Sequence, residues 1–172
     1  MDRSGGLMLY RNRTPNEKEF FLVHPGGVSY RTVDKGGFWG FPKGTVEKSD
    51  WYRFSVIGNP EIDATLYAAI REYHEETGDN TDLSPMINDI KYLGRVLQRK
   101  SKAVYAFALE CNWDLDPKKC YSNTINIEVN NIKYTIPEND DFMWATYSEL
   151  ENIIHPKHLG FYQDLVNNIP TH

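Results

Sequence analysis

Cysteine is scarce in this sequence: only Cys111 and Cys120 occur among 172 residues. Two thiols so spaced make neither a disulfide framework nor a zinc site. Long apolar runs are missing as well. No window approaches the length of a membrane span, and the opening MDRSGG lacks the apolar stretch of a signal peptide. Basic excess is absent too. Nineteen Lys and Arg face 24 Asp and Glu, a net charge of −5. Bulk electrostatic attraction to nucleic acid or to an anionic membrane is therefore disfavoured, while a local basic site for a small anion is still allowed. These absences point to a cytoplasmic protein without membrane partners. No internal repeat or low-complexity segment is present.

What is present is an ordinary globular composition, 40% hydrophobic and 25% charged, on a chain long enough to bury one core. The expectation is a single domain over 1–172. GLMLYR (5–10) and EFFLVH (19–24) read as strands joined by the polar connection NRTPNEK. Residues 25–44 are dense in glycine and aromatics and read as loops around a short strand. A polar insert follows at 45–62. The spacing then predicts a helix over 64–77, with Asp63 as N-cap and Gly78 closing it. KYLGRVLQ (91–98) and AVYAFALEC (103–111) are further strands, and TINIEV is a short one. IKYTIP and FMWATY flank a loop at PENDD (137–141). Residues 147–168 read as helical, Thr146 and Glu149 having capping-box spacing. Strands around one strong helix, with a second helical layer at the end, predict an α/β sandwich with a mixed sheet.

The segment REYHEETG (71–78) carries the chemistry. With Glu72 set at zero on a helical wheel, Glu75 falls at about −60° and Glu76 at about +40°. Leu66, Ala69, Ile70 and Tyr73 form the core stripe at about +60° to +160°, so the acids lie beside the buried face. Thr65 and Ala68 below them are small enough for another segment to approach closely. At about 6 Å, each pair of carboxylates repels by roughly 0.7 to 3 kcal/mol for effective dielectrics of 80 to 20. Arg71 relieves part of this through Glu75 at i,i+4 but cannot neutralise three charges. A hard divalent cation can, and magnesium favours such oxygen donors. Taken alone, REYHEE is also what many solvated helix faces carry. His74 falls at about 200° from Glu72, exposed and not a ligand.

Gly44, Arg71, Glu72, Glu75, Glu76 and Gly78 together resemble the Nudix box: glycine, five residues, glutamate, seven residues, then arginine-glutamate-apolar-x-glutamate-glutamate-x-glycine-apolar. AAI (68–70) and FPKG (41–44) also resemble the family. Two departures stand out. Gly44 and Arg71 are 27 positions apart where the pattern has 14, so thirteen residues are inserted within 45–62. The upstream glutamate is replaced, by Asp50 counting forward or by Asp63 counting back; Asp63 is preferred because it stays on the helix. Asp79 stands at the closing apolar position. SGGLMLYR, LVHPGG, GFWGFPKG, the SNT of 122–124, PEND and FYQDL extend the resemblance over nearly the whole chain, towards a bacterial branch of predicted nucleotide pyrophosphohydrolases.

The resemblance implies a Nudix-type α/β/α sandwich and a magnesium-dependent hydrolase, manganese substituting, that cleaves a pyrophosphate bond in a nucleoside diphosphate linked to another group. It implies Glu72, Glu75, Glu76 and the carbonyl of Gly44 as metal ligands, with Arg71 orienting the glutamates. Glu138 in PEND is the candidate further acid or base, with Asp140 and Asp141 behind it. Lys43 and Lys102 are candidate phosphate contacts, as, less firmly, are Arg31, Arg99 and Lys100. Trp39, Tyr105, Phe41 and Tyr30 are candidate stacking partners for a base. His24 and the Gly26-Gly27 pair lie near the expected site without an assigned role. WGFPKG is similar to the segment of diadenosine polyphosphate hydrolases, favouring a dinucleoside polyphosphate or a nucleoside triphosphate as the small-molecule partner. Oligomeric state is left open. The rival reading is a Nudix-fold module that binds a nucleotide without cleaving it.

Overall fold

The structure, a computed structural model, describes residues 1–26 and 38–168. Its centre is a six-stranded mixed sheet built on β1 (Asp2–Thr14), β2 (Glu17–Pro25), β3 (Lys43–Thr45), β4 (Lys91–Arg99), β5 (Lys102–Glu110) and β8 (Asn139–Thr146), in the order β4-β5-β1-β2-β8 with β3 pairing on β1. β1 and β5 run parallel and the other pairs antiparallel. β6 (Thr124–Val129) and β7 (Ile132–Pro137) form a separate two-stranded sheet.

The apolar runs of β1 and β2 follow from burial on both faces, since successive side chains point to opposite sides of a sheet. Leu7, Leu9, Phe21 and Val23 pack towards α1 (Pro60–Thr77), with Leu66, Ala69 and Tyr73. Met8, Phe20 and Leu22 pack on the opposite side with Phe161, Tyr162 and Leu165 of α3 (Leu159–Asn168). Helices cover both faces, so the expected α/β/α sandwich with a mixed sheet is the observed architecture. No helix among the described residues is long and apolar enough to cross a membrane.

Several boundaries differ from the sequence reading. α1 begins at Pro60, not at 64, because the Asn59 side chain accepts the backbone N–H groups of Glu61 and Ile62 and proline suits the first turn. Asp63 is thus inside the helix and is not its cap. Gly78 does close α1, at φ 71°, its N–H donating to the His74 carbonyl. Most of NRTPNEK is strand, the hairpin turning only at Pro15 and Asn16. PENDD is not a loop: Pro137 ends β7 and Asn139 already opens β8. The 147–168 segment is broken into α2 (Tyr147–Leu150), a 3-10 turn at Pro156–His158 and α3, the proline standing at the break. The Thr146–Glu149 capping box is present.

Asp79, at an apolar place in the box pattern, is satisfied by polar partners. It accepts from the Tyr73 hydroxyl, from Trp113 Nε1 at 2.9 Å and from Thr81. A carboxylate with these donors takes the place of an apolar contact under the end of α1.

Candidate functional site

The small residues of α1 let the sheet come close. A Cβ on Gly5 of β1 would lie 1.8 Å from the Thr65 carbonyl oxygen, so only glycine fits there. One strand over, Gly44 sits against the acid side chains: a Cβ on it would lie 2.0 Å from Glu72 Cδ. The Lys43 backbone N–H donates to Glu76 Oε2 at 2.9 Å. β3 is therefore latched onto the acidic face of α1.

Glu72 and Glu76 meet Glu138, from the turn between β7 and β8. Each offers one carboxylate oxygen, and the three oxygens lie within 4.8 Å of one another. Asn123 holds the third acid in place. Its amide donates to Glu138 Oε2 at 2.9 Å, its carbonyl accepts from the Glu138 N–H at 2.9 Å, and its own N–H donates to the Glu75 carbonyl at 2.9 Å. One residue thus ties the end of α1 to the segment carrying Glu138.

The electrostatics of the trio are strained towards neutrality. Burial pushes the Glu72 carboxyl up to about 7, Arg71 pulling it down while Glu75 and Glu138 push it further up. Burial pushes Glu76 up to about 8; Lys43 opposes the rise and the carboxylates of Glu138 and Glu72 add to it. The Lys43 ammonium is itself lowered by burial, with Glu76 acting against that. Burial is the larger cause of both rises, and Arg71 and Lys43 offset it only in part. An all-oxygen set that lacks positive charge suits a hard divalent cation such as magnesium or manganese. Glu72, Glu76 and Glu138 are the residues placed to hold one.

Arg71 has richer contacts than an i,i+4 pair. It donates to Asp50 Oδ2 at 2.9 Å, to Glu72 Oε1 at 2.9 Å and to the Thr45 carbonyl at 3.1 Å. Glu47 lies at 3.4 Å and Glu75 at 3.8 Å. Asp50 is 4% exposed. It, and not the preferred Asp63, stands against the box arginine. Asp63 instead binds the insert, accepting from the backbone of Val56, Ile57 and Gly58 and from the Ser55 hydroxyl. The inserted residues therefore fall after Asp50, and the forward count from Gly44 is the one the fold obeys.

A cleft of about 440 Å³ opens over the trio, lined among others by Lys43, Gly44, Glu75, Lys102 and Glu138. Glu75 is on its rim, its side chain 45% exposed, outside the converging trio. Trp39 lies beside the cleft, against the His24 ring at 5.1 Å. Tyr105 is 3% exposed, and its hydroxyl donates to Glu61 at 2.6 Å. That buries it in the core beneath the first turn of α1, where it cannot stack on a base in the cleft. Phe41 is likewise core, packed on His158, Phe161 and Tyr162. Arg99 and Lys100 are exposed and do not line the cleft. His24 faces Asp140 at 2.6 Å, and Asp141 accepts the Phe142 N–H. His74 is half-buried, not exposed, its Nδ1 bonded to the Asp79 carbonyl. Tyr30, Arg31 and Gly27 lie outside the described residues.

Glu47, Gln98 and Asn139 also line the cleft without having been singled out from sequence. Asn123 was legible only as part of the SNT segment. Nothing in single-sequence periodicity marks such residues, because each comes from a different element.

A sheet between helical layers, with acids from its central helix gathered under a basic-edged cleft, defines a class of architecture. Neither a family model nor a curated protein sequence matches the chain, but solved structures do. A Nudix hydrolase from Alicyclobacillus acidocaldarius matches with TM-score 0.67 and 13% identity, over 100% of this chain and 98% of that one. The NUDIX domain of Shewanella oneidensis NrtR, complexed with ADP ribose, matches with TM-score 0.57 and 11% identity over 96% and 88%. A C. elegans Ap4A hydrolase in a binary complex matches with TM-score 0.54 and 16% identity over 96% and 95%. The chain has the Nudix fold.

Proposed function

We propose that the chain is a divalent-cation-dependent hydrolase that cleaves a phosphoanhydride bond in a nucleoside diphosphate linked to a further group. The observation that carries this reading is the convergence of Glu72, Glu76 and Glu138 within 4.8 Å at the base of a cleft edged by Lys43 and Lys102. A carboxylate trio repels an anionic substrate, so the arrangement makes chemical sense only with cations between them. When bound, magnesium or manganese supplies the charge that lets a pyrophosphate approach and lowers the pKa of the attacking water. Lys43 and Lys102 bind substrate phosphates. Glu138, held by Asn123, is placed to take the proton of that water as the new P–O bond forms and the bridging P–O bond breaks. Arg71 keeps Glu72 aimed at the site through paired hydrogen bonds to Glu72 and Asp50.

A dinucleoside polyphosphate or a nucleoside triphosphate is the favoured substrate class, in keeping with WGFPKG and with the likeness to an Ap4A hydrolase; the NrtR domain is complexed with ADP ribose, a nucleoside diphosphate linked to a further group. The test is incubation with magnesium and a panel of nucleoside polyphosphates, reading phosphate and mononucleotide release. Turnover should fall at least about a hundredfold in Glu76→Gln and Glu138→Gln. Binding of panel members without turnover would favour the rival reading of a nucleotide-binding module.

A further inference from the structure

Beside the acid cleft is a smaller chamber of about 70 Å³. Pro25, Lys43, Glu76, Gln98 and Asn139 line both spaces, so the two are continuous. Its inner wall carries His158, with the rings of Trp39 and Phe41 beside it. Three buried polar atoms here have no hydrogen-bond partner among the described residues: Gln98 Oε1, Asn139 Nδ2 and His158 Nε2. Asn139 is 5% exposed and His158 3%. They come from β4, the start of β8 and the turn before α3, so no local sequence constraint explains their meeting. Each buried polar atom left unpaired costs roughly 1 to 3 kcal/mol, so three that converge on one chamber call for a polar group, from a ligand or from ordered water, to pair them.

We propose that this chamber is a sugar subsite that takes the 2′,3′-diol of a ribose, making the enzyme prefer ribonucleotides to their 2′-deoxy forms. The proposal deepens the hydrolase reading and rests on it for the position of the phosphates. The donor and acceptor pattern selects the group. An amide oxygen at Gln98 asks for a donor, and an amide N–H at Asn139 asks for an acceptor. Burial and the nearby Lys43 hold the His158 imidazole neutral, at about 3, so that ring offers one donor and one acceptor nitrogen. A hydroxyl does both jobs. A phosphate only accepts; it would suit Lys43 and the Asn139 amide but would also meet the Gln98 oxygen and the Glu76 carboxylate, neither of which can donate to it. An ammonium only donates. At roughly 30 Å³ per water-sized group, 70 Å³ is room for about two hydroxyls, less than a nucleobase needs. The Trp39 ring offers an apolar face to the sugar carbons.

The test is calorimetric binding of the α,β-methylene analogues of ADP and 2′-deoxy-ADP, with magnesium, to the full chain. The methylene bridge prevents cleavage, so binding is read apart from turnover. The ribo analogue should bind at least about tenfold more tightly. Gln98→Leu and His158→Phe should each narrow that ratio to about twofold, weakening the ribo analogue more than the deoxy analogue, which keeps its 3′-hydroxyl. Gln98, part-exposed on a strand, keeps the test available if His158→Phe does not fold. Equal affinity for the two analogues, the outcome if the chamber holds only water, overturns the subsite. So does a preference that survives both substitutions, or no binding of either analogue. Turnover without ribose preference would overturn the subsite and spare the hydrolase reading; ribose preference without turnover would do the reverse.

Discussion

The sharpest consequence of the acid trio is that removing a site carboxylate should stabilise the metal-free protein. Glu76 is 5% exposed, and its carboxyl is pushed from an ordinary 4.5 up to about 8. Between those values the folded chain binds more protons than the unfolded chain, so the stability this group allows at low pH is lost as pH rises. At pH 8 the cost comes to roughly 4 kcal/mol, and at pH 5 to roughly 1, at about 1.4 kcal/mol per unit. Near-complete burial leaves little solvent screening to reduce these figures. Glu76→Gln removes the charge and keeps an oxygen to accept the Lys43 N–H. In chelator at pH 8 the variant should exceed the parent by about 3 kcal/mol more than it does at pH 5, roughly 6 to 12 °C in Tm for a chain of this size.

Magnesium should close most of that gap at pH 8. The parent gains about 2.7 kcal/mol at a hundred times its dissociation constant, whereas the variant, short of one ligand, gains little. Scanning calorimetry at the two pH values, with and without metal, reads all four numbers. A variant less stable than the parent in chelator at pH 8, or equally shifted at both pH values, would refute the argument that Glu76 is a buried charge awaiting a cation.

Asp50→Asn and Asp63→Asn should part company. The first loosens Arg71 from its most buried partner and should cut turnover about tenfold or more, while the second frees the 55–58 backbone, costs roughly 1 to 3 kcal/mol in denaturant melts and leaves kcat nearly intact. Asn123→Ala should weaken apparent metal affinity by about 10- to 100-fold in manganese titrations, since it releases Glu138, and Asn123→Asp should not rescue it because a carboxylate repels Glu138. Gly44→Ala should displace Glu72 and abolish turnover with the fold retained by circular dichroism; full activity would show that β3 is not tightly latched. Because the His158 imidazole is held at about 3, its contribution to folding stability should be fully present above about pH 6.5 and fall by up to about 1.4 kcal/mol per unit below it, a component of the pH dependence that His158→Phe should remove in denaturant titrations.

Burial and periodicity explain which parts were legible in the sequence. The β1 and β2 runs and the Leu66–Tyr73 stripe are apolar because the sheet is covered on both faces, and they were readable as such. The start of α1 was misread because two good capping residues, Asn59 and Asp63, lie four positions apart, and only Asn59 has free helix N–H groups in reach. Tyr105 resembles a stacking residue in composition, yet its strand alternation turns it into the core. All three acids of the trio are named from the sequence, Glu138 through the family resemblance at PEND alone. Glu72 and Glu76 follow from helical phase, but Glu75 shares their arc and still stays on the rim, because the sheet closes on one side of that arc only. Glu138 and Asn123 meet it through tertiary pairing, which no periodicity encodes.

The insert sharpens what the motif requires. Counting back from Arg71 assumed that linear spacing is kept next to the helix, and it led to Asp63. The fold keeps a different quantity. Gly44 and Asp50 stay in register with each other, so that Asp50 reaches Arg71 while Gly44 lies on Glu72. The extra residues are then looped out beyond Asp50 and fastened by Asp63 to the first turns of α1, with the Tyr67 hydroxyl donating to the Phe54 carbonyl at 2.7 Å. Loop lengthening costs only about 0.6 kcal/mol per doubling, so such an insertion is cheap once its ends are tied. A motif spread over two segments therefore persists when the side chains meet at the right place in space, whatever number of residues separates them along the chain.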